Sequence, residues 1–326
     1  MMNILNKVFV LLCFMFVFAT AQAGTVPGPL VDTGWLKANS NKVVILDVRS
    51  NLKSFTAKPV FSKDKKTGKL KLVRVGGHIP GARLVNYKKL RTKRDVNGVE
   101  IESLLPEKKD FESFIQSVGL NAGDSVVIVS EGVSNADMTS ATRLYWSLKY
   151  FGQDDMAILD GGMAKWLKEG QAVKTDAARV KKGNWLATAE RTEILASSED
   201  VRRAVKDKSA QLIDTRPVSQ YLGTYRKSYV YADGHIPGAK NFPNELLTGP
   251  DGNAAFTPAS SIQKLSEALG IDTKAAAITY CNSGHLASGS WFVYSELLGN
   301  KQVKMYDGSM HQWTKEKGET VIMKVE

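Results

Sequence analysis

The chain has 326 residues, 43% hydrophobic and 24% charged, the balance of a globular protein with two ordinary domains or one large one. Its formal net charge of +11 favours anionic partners by long-range attraction. The basic residues are nevertheless spread along the chain, and two cysteines and four histidines show no metal-ligand spacing. These features argue against nucleic-acid binding and a metal centre, imply no cofactor, and leave a small anionic ligand as the best match for the charge.

At the N-terminus, Lys7 precedes the apolar stretch Val8 to Phe18, and Ala21-Gln22-Ala23 supplies a small-residue cleavage site. Residues 1–23 therefore read as a secretory signal peptide, cut after Ala23 and just before Gly24. Its apolar core is too short to span a bilayer comfortably, and no later stretch would anchor the mature chain in a membrane. Cys13 lies inside this segment, and the A-x-A site downstream argues for ordinary cleavage over lipid modification. The mature protein is expected to be soluble, periplasmic or secreted, with Cys281 as its one cysteine. An oxidising compartment usually selects paired cysteines, so an unpaired thiol there points to a task.

Further along, Val43 to Arg49 reads as a buried strand ending in Asp-x-Arg. A basic stretch follows, Lys53, Lys58, Lys63, Lys65, Lys66, Lys69, Lys71 and Arg74, against Asp64 alone. Within it, Asp64 to Lys69 reads as a turn between two extended segments. The first reading is a solvated hairpin; the functional one is a docking edge for an acidic protein partner at Lys63–Lys71. Gly77-His78-Ile79-Pro80-Gly81-Ala82 fixes a tight turn, structural when taken alone. A helix is expected over Glu107 to Val118, ended by Gly119, then a strand over Ser125 to Ser130 and a helix near Ser140 to Tyr150. The segment Gln171 to Glu190 is polar and aperiodic and reads as a linker.

The second half repeats the first. Gln211 to Arg216 matches Val43 to Arg49, Gly234-His235-Ile236-Pro237-Gly238-Ala239 matches the first tight turn, and Asp307-Gly308 through Trp313 matches Asp160-Gly161 through Trp166. The offset runs 167 at the Asp, 157 at the His and 147 at the Asp-Gly, so the first copy is longer by ten residues in each interval, and the basic hairpin accounts for the first. A helix over Ser260 to Leu269, stopped by Gly270, precedes the strand Ala277 to Tyr280. Strands alternating with helices argue for α/β domains with mostly parallel sheets.

Cys281 ends that last strand and opens the loop Cys281-Asn282-Ser283-Gly284-His285-Leu286-Ala287, followed by a helical pattern carrying Trp291, Phe292, Tyr294, Leu297 and Leu298. Strand, short glycine loop and helix would aim backbone N–H groups at the sulfur, and the resulting thiolate is the nucleophile. The alternative is a buried, inert core cysteine. Asp214 and Arg216 are expected as a structural pair, and His78 and His235 as structural turn residues.

Asp-x-Arg, Gly-His-Ile-Pro-Gly-Ala, the cysteine loop and Asp-Gly-x-x-x-x-Trp occur in an order that resembles the rhodanese superfamily, specifically its tandem-domain sulfurtransferases, over about residues 30–320. The resemblance implies two tandem rhodanese-like domains, each a mostly parallel sheet flanked by helices: an inactive one at 28–170, the linker at 171–190 and a catalytic one at 191–326. The first-domain loop, Ser130-Glu131-Gly132-Val133-Ser134, has no cysteine and fits the inactive role. The resemblance further implies that Cys281 carries a persulfide between a small anionic sulfur donor, thiosulfate or 3-mercaptopyruvate, and a thiol or cyanide acceptor. Amides of Asn282, Ser283, Gly284, His285, Leu286 and Ala287 would stabilise the sulfur and the departing anion, with Ser283 as relay or donor and His285 as a donor-binding residue. Arg226 lies where the family often places a substrate-binding arginine. Phosphatase relatives place an arginine six positions after the cysteine, where this chain has Ala287, so that chemistry is disfavoured. Cys281-Asn282-Ser283-Gly284 looks more like the mercaptopyruvate type, although His285 and Leu286 match neither pattern. A periplasmic persulfide or chalcogen carrier serving a specific partner is the alternative from another class, and a structural interaction module the third.

Overall fold

The computed structural model describes residues 25–323 apart from 69, 178 and 250–253. The expected signal peptide with Cys13, and Lys69 of the basic stretch, lie outside the described residues.

In the first half, β1 (Leu30–Val31), α1 (Thr33–Asn39) and β2 (Val44–Arg49) lead to an antiparallel hairpin, β3 (Val60–Lys63) and β4 (Leu70–Arg74). Then come β5 (Arg83–Asn86), a second hairpin of β6 (Thr92–Val96) and β7 (Val99–Leu104), α2 (Lys108–Ser117), β8 (Val126–Val129), α3 (Asn135–Tyr150), β9 (Met156–Leu159) and α4 (Gly162–Lys168). The second half has β10 (Leu195–Ala196), α5 (Ser198–Asp207), β11 (Gln211–Asp214), α6 (Val218–Leu222), β12 (Lys240–Asn241), α7 (Ala259–Ala268), β13 (Ala277–Tyr280), α8 (His285–Trp291), β14 (Val303–Tyr306) and α9 (Ser309–Lys315). The two parallel sheets have the same order, β1-β9-β8-β2-β5 and β10-β14-β13-β11-β12, so the repeat in sequence is a repeat in topology.

The central strands β8 and β13 are buried at every position. Helices cover both faces of a parallel sheet, which is why these runs are uninterrupted rather than alternating. Helix α3 begins at Asn135, earlier than its apolar pattern, because the Ser134 hydroxyl accepts the Asp137 amide and caps it. It is buried on nearly all sides, packing on its own sheet and on α8 of the other half. Tyr145 meets Phe292 edge to face at 4.9 Å, and one apolar cluster runs from Leu46 through Trp146 to Cys281 and Trp291. The two halves thus share a core.

The two insertions behave differently. The β3–β4 ribbon projects, with Leu70 73% and Val73 60% exposed. The β6–β7 hairpin supplies six of the other ten residues, the longer connection from β8 through α3 to β9 supplies the remaining four, and the hairpin lies against the second half, where the Glu102 amide donates to His311 Nε2 at 3.2 Å and Lys315 Nζ to the Glu100 carbonyl. Segment 171–190 is pinned to the first half: Trp185 is buried, its amide donates to the Leu120 carbonyl and its indole to Gln153. Among the described residues no helix is long and apolar enough to cross a membrane.

Candidate active site

Strand β13 delivers Cys281 to the C-terminal edge of its sheet, where the residue is a free thiol, 1% exposed. Its backbone is fastened from both sides. The Cys281 and Asn282 carbonyls accept the Met310 and His311 amides at the start of α9. The Cys281 and Gly284 amides both donate to Ser309 Oγ, at 3.0 and 3.2 Å. Ser309 Oγ lies 3.9 Å from Cys281 Sγ and donates to the Tyr306 carbonyl at 2.8 Å. Ser309 holds this position with φ +50°, a left-handed conformation that costs a non-glycine residue about 1–3 kcal/mol.

Each loop residue has a definite place. The Asn282 amide side chain donates to Gln220 Oε1 at 2.7 Å, and its own Oδ1 is buried without a partner. Ser283 is buried and lies within electrostatic reach of the Tyr229 hydroxyl. Gly284 has φ +72°, and a Cβ there would lie 2.3 Å from Asp307 Oδ1, so glycine is required on two counts. Leu286 packs against the shared core, and the Ala287 carbonyl accepts Thr279 Oγ1. The loop is shorter than the sequence suggests, because α8 already starts at His285. Of the expected sulfur-facing amides, that of Gly284 is engaged by Ser309, while those of Asn282, Ser283, His285, Leu286 and Ala287 meet no acceptor among the described residues.

His285 is not a cationic anion-binder here. Its Nε2 faces the Ala136 carbonyl at 2.8 Å, which can only accept, so Nε2 carries the proton and Nδ1 accepts from the Tyr87 hydroxyl. Burial, with the nearby positive charges of Arg91 and Arg143, pushes its pKa down to about 3, and the imidazole stays neutral. Arg226 is turned away from an anion role by its own neighbours. Its Nε pairs with Asp233 at 3.0 Å and its Nη1 donates to the Val230 carbonyl at 2.8 Å, on a half-exposed side chain. Asp214 and Arg216 form the buried pair, with Arg216 Nη2 also on the Gly234 carbonyl. His78 and His235 stack on Phe55 and Tyr221 and bond to those residues' carbonyls.

Sequence reasoning missed what the first half brings. Arg143 of α3, fully buried, pairs with Asp307 and donates to the Gly284 carbonyl at 3.2 Å. Burial would lower its pKa, but the Asp307 charge outweighs it and the guanidinium is raised above its usual range. The Leu105 amide donates to the other Asp307 oxygen at 2.7 Å. Tyr87 and Arg91 join on the His285 side, with Arg91 Nη1 on the Tyr87 hydroxyl at 3.0 Å. The phenols of Tyr87 and Tyr229 are raised by burial, and each also feels the Cys281 charge. The one available signal was a lone arginine in an otherwise buried helix pattern.

A nucleophilic sulfur among fixed hydroxyls, free amides and guanidinium groups suits transfer of a group to sulfur. The rhodanese-like domain profile matches residues 32–169 and again 197–316. The sulfur carrier protein TtuD of Thermus thermophilus is 30% identical over 246 residues, 73% of this chain and 82% of that protein. Thiosulfate sulfurtransferase of Bos taurus is 29% identical over 242 residues, 72% of this chain and 77% of that one. Among solved structures, SseA from Escherichia coli, described with the 3-mercaptopyruvate sulfotransferases, superposes with a TM-score of 0.68 at 23% identity, over 86% of this chain and 98% of its own, a likeness of fold. With both halves matched and both sheets in one order, the chain belongs to the rhodanese-like domain family as a tandem pair, sulfurtransferase-like at the level of the family.

Proposed function

We propose that the chain is an exported sulfurtransferase that moves a sulfane sulfur from thiosulfate or 3-mercaptopyruvate to a thiol or to cyanide through a persulfide on Cys281. The observation that carries this reading is the placement of the free thiol: it sits 3.9 Å from Ser309 Oγ, beside a loop whose amides at Asn282, Ser283, His285, Leu286 and Ala287 meet no acceptor among the described residues.

With thiosulfate, Cys281 thiolate attacks the outer sulfur, the S–S bond of the donor breaks, and sulfite leaves with the bonding pair. With 3-mercaptopyruvate, the C–S bond breaks instead and the proton of the donor thiol ends on the carbon of pyruvate. The persulfide then gives its outer sulfur to cyanide or to an acceptor thiolate, and the Cys281 thiolate is restored. Splitting one difficult transfer into two displacements is the use of a covalent intermediate. The free amides of the loop would stabilise the departing anion, each donor contributing about 2–4 kcal/mol in a shielded site.

Cyanide turnover by the mature chain with thiosulfate and with 3-mercaptopyruvate, beside Cys281→Ser, tests the enzyme. No turnover with either donor, together with no gain of one sulfur mass on Cys281, sinks it. Similarity to a sulfur carrier and the near-complete burial of Cys281 support the second reading, a periplasmic carrier that delivers sulfur to a specific partner. A stable one-sulfur gain without turnover decides for the carrier. Retention of activity in the periplasmic fraction, with the N-terminus at Gly24, tests export. The ribbon at Lys63–Lys71 is proposed as its docking edge for an acidic partner.

A further inference from the structure

Four arginines are candidates to receive the anionic end of a donor, and the structure separates them by their counter-charges. Arg143 is paired with Asp307, Arg216 with Asp214 and Arg226 with Asp233. Arg91 forms no ion pair among the described residues. Two of its N–H groups donate to uncharged hydroxyls, Nη1 to Tyr87 at 3.0 Å and Nη2 to Ser103 at 2.8 Å. Its guanidinium carbon also lies 5.4 Å from the centre of the Tyr87 ring. A guanidinium has five N–H donors, so this one is oriented by neutral partners while its charge and its remaining donors stay uncompensated.

The position matters as much as the charge. Tyr87 bridges Arg91 to His285 Nδ1, four residues on from Cys281. Tyr229 lies within electrostatic reach of Arg91, Cys281 and Ser283. Arg91 therefore reaches the His285 side of the loop from the first half of the chain, through Tyr87. His285, being neutral, cannot take this role.

Resting on the sulfurtransferase reading, we propose that Arg91, a residue of the domain without a nucleophile, binds the anionic end of the sulfur donor, a sulfonate or a carboxylate, and so sets the site's preference for charged donors. The catalytic cysteine and the charge that recognises its substrate would then come from different halves of the duplication.

The test uses the full mature chain. In the Cys281→Ser background, thiosulfate binding is measured by calorimetry with Arg91 intact and with Arg91→Met. Loss of a charge-assisted pair predicts affinity at least about tenfold weaker. In the Cys281 chain, Arg91→Met should raise KM for thiosulfate and 3-mercaptopyruvate about 10- to 100-fold and leave kcat within about threefold, while diallyl trisulfide, an uncharged donor, is used as before. Arg91→Lys should recover part of the KM loss, since it keeps the charge without the planar fork. Equal losses with charged and uncharged donors, or unchanged thiosulfate binding in Arg91→Met, overturn the proposal, as does a loss that falls on Arg226→Gln instead. If the chain turns over no donor but thiosulfate binding still depends on Arg91, the enzyme reading fails and the anion site stands.

Discussion

The two strand-to-helix loops occupy equivalent places in the two sheets, after β8 and after β13, and differ in what fills them. In the first half the Gly132 and Val133 amides donate to the Asp137 carboxyl group, so the loop's donors are engaged by a side chain of its own. In the second half the third residue of the helix, where the first has Asp137, is Ala287, which carries no polar side chain. The loop amides that an internal carboxylate would take are left for something else. Arg49 and Arg216 keep the same role in both halves, each paired with its Asp and capping the carbonyl of the glycine before the His-Ile-Pro turn. The duplication therefore conserves the frame beneath the loops and diverges in their contents. The loop without a cysteine is held by its own carboxyl group, whereas the cysteine loop leaves its donors open and is held from outside, by Ser309 below and Arg143 across the interface.

The largest expected effect follows from that contrast. Cys281→Ser should lower sulfur transfer by at least about a thousandfold in the cyanide assay. Adding Ser130→Cys should not restore it, because Asp137 already occupies the first loop. Recovery in that double variant would break the comparison. Next in size is Arg143→Met. Removing one partner of a buried ion pair leaves Asp307 uncompensated and should destabilise the chain by about 3–5 kcal/mol in urea unfolding. A loss below about 1 kcal/mol would show that the Arg143–Asp307 pair does not hold the loop.

A smaller effect separates Ser309 from its counterpart Gly162, which shares its left-handed backbone at φ +54° against +50°. Ser309→Gly removes the backbone strain and also the acceptor of the Cys281 and Gly284 amides. Stability should change by less than about 1 kcal/mol while kcat falls about tenfold, consistent with a lost hydrogen bond of about 1–1.5 kcal/mol. The reverse change, Gly162→Ser, places a Cβ 2.6 Å from the Ser130 carbonyl and should cost about 1–3 kcal/mol with no effect on kcat per folded molecule. Equal effects at both positions would mean that the hydroxyl of Ser309 serves folding alone.

Much of this was legible in the chain. Buried strands of the Val126 to Val129 and Ala277 to Tyr280 kind, glycine stops and the repeated blocks carry local signals, and they place Cys281 on its loop. The larger part of the second ten-residue offset was not legible, because the turn-bearing stretch from Thr92 to Leu104 lacks the apolar alternation of a half-buried strand and gains its purpose only against the other domain. Long-range partners were equally silent. Nothing near His285 announces that Tyr87 and Ala136, about 150 to 200 residues away in sequence, fix its tautomer. Arg226 looked free because its partner Asp233 depends on how the intervening loop turns. Arg143 could be seen only as a charge among apolar neighbours, since the carboxylate that explains it lies in the other half.

The smallest effect is a pH dependence with opposite signs at the two loops. Burial, reinforced by Glu131, pushes the Asp137 pKa up to about 7, well above that of an unfolded aspartate. Between those two values the folded chain holds the extra proton, so Asp137 makes stability fall as pH rises from about 4 to 7. His285 works the other way. Its folded pKa of about 3 lies below the usual value near 6.5, so between them the unfolded chain binds the extra proton and stability rises with pH. Urea midpoints from pH 4.5 to 8 should therefore climb less steeply below pH 6.5 in His285→Gln than in the parent chain. In Asp137→Asn the decline toward pH 7 should flatten. Asp137 and His285 are both half-buried, so solvent damps both slopes. Parallel curves for both variants and the parent would mean that neither loop stores its contents as an unequal proton affinity, and the electrostatic contrast between the halves would be gone.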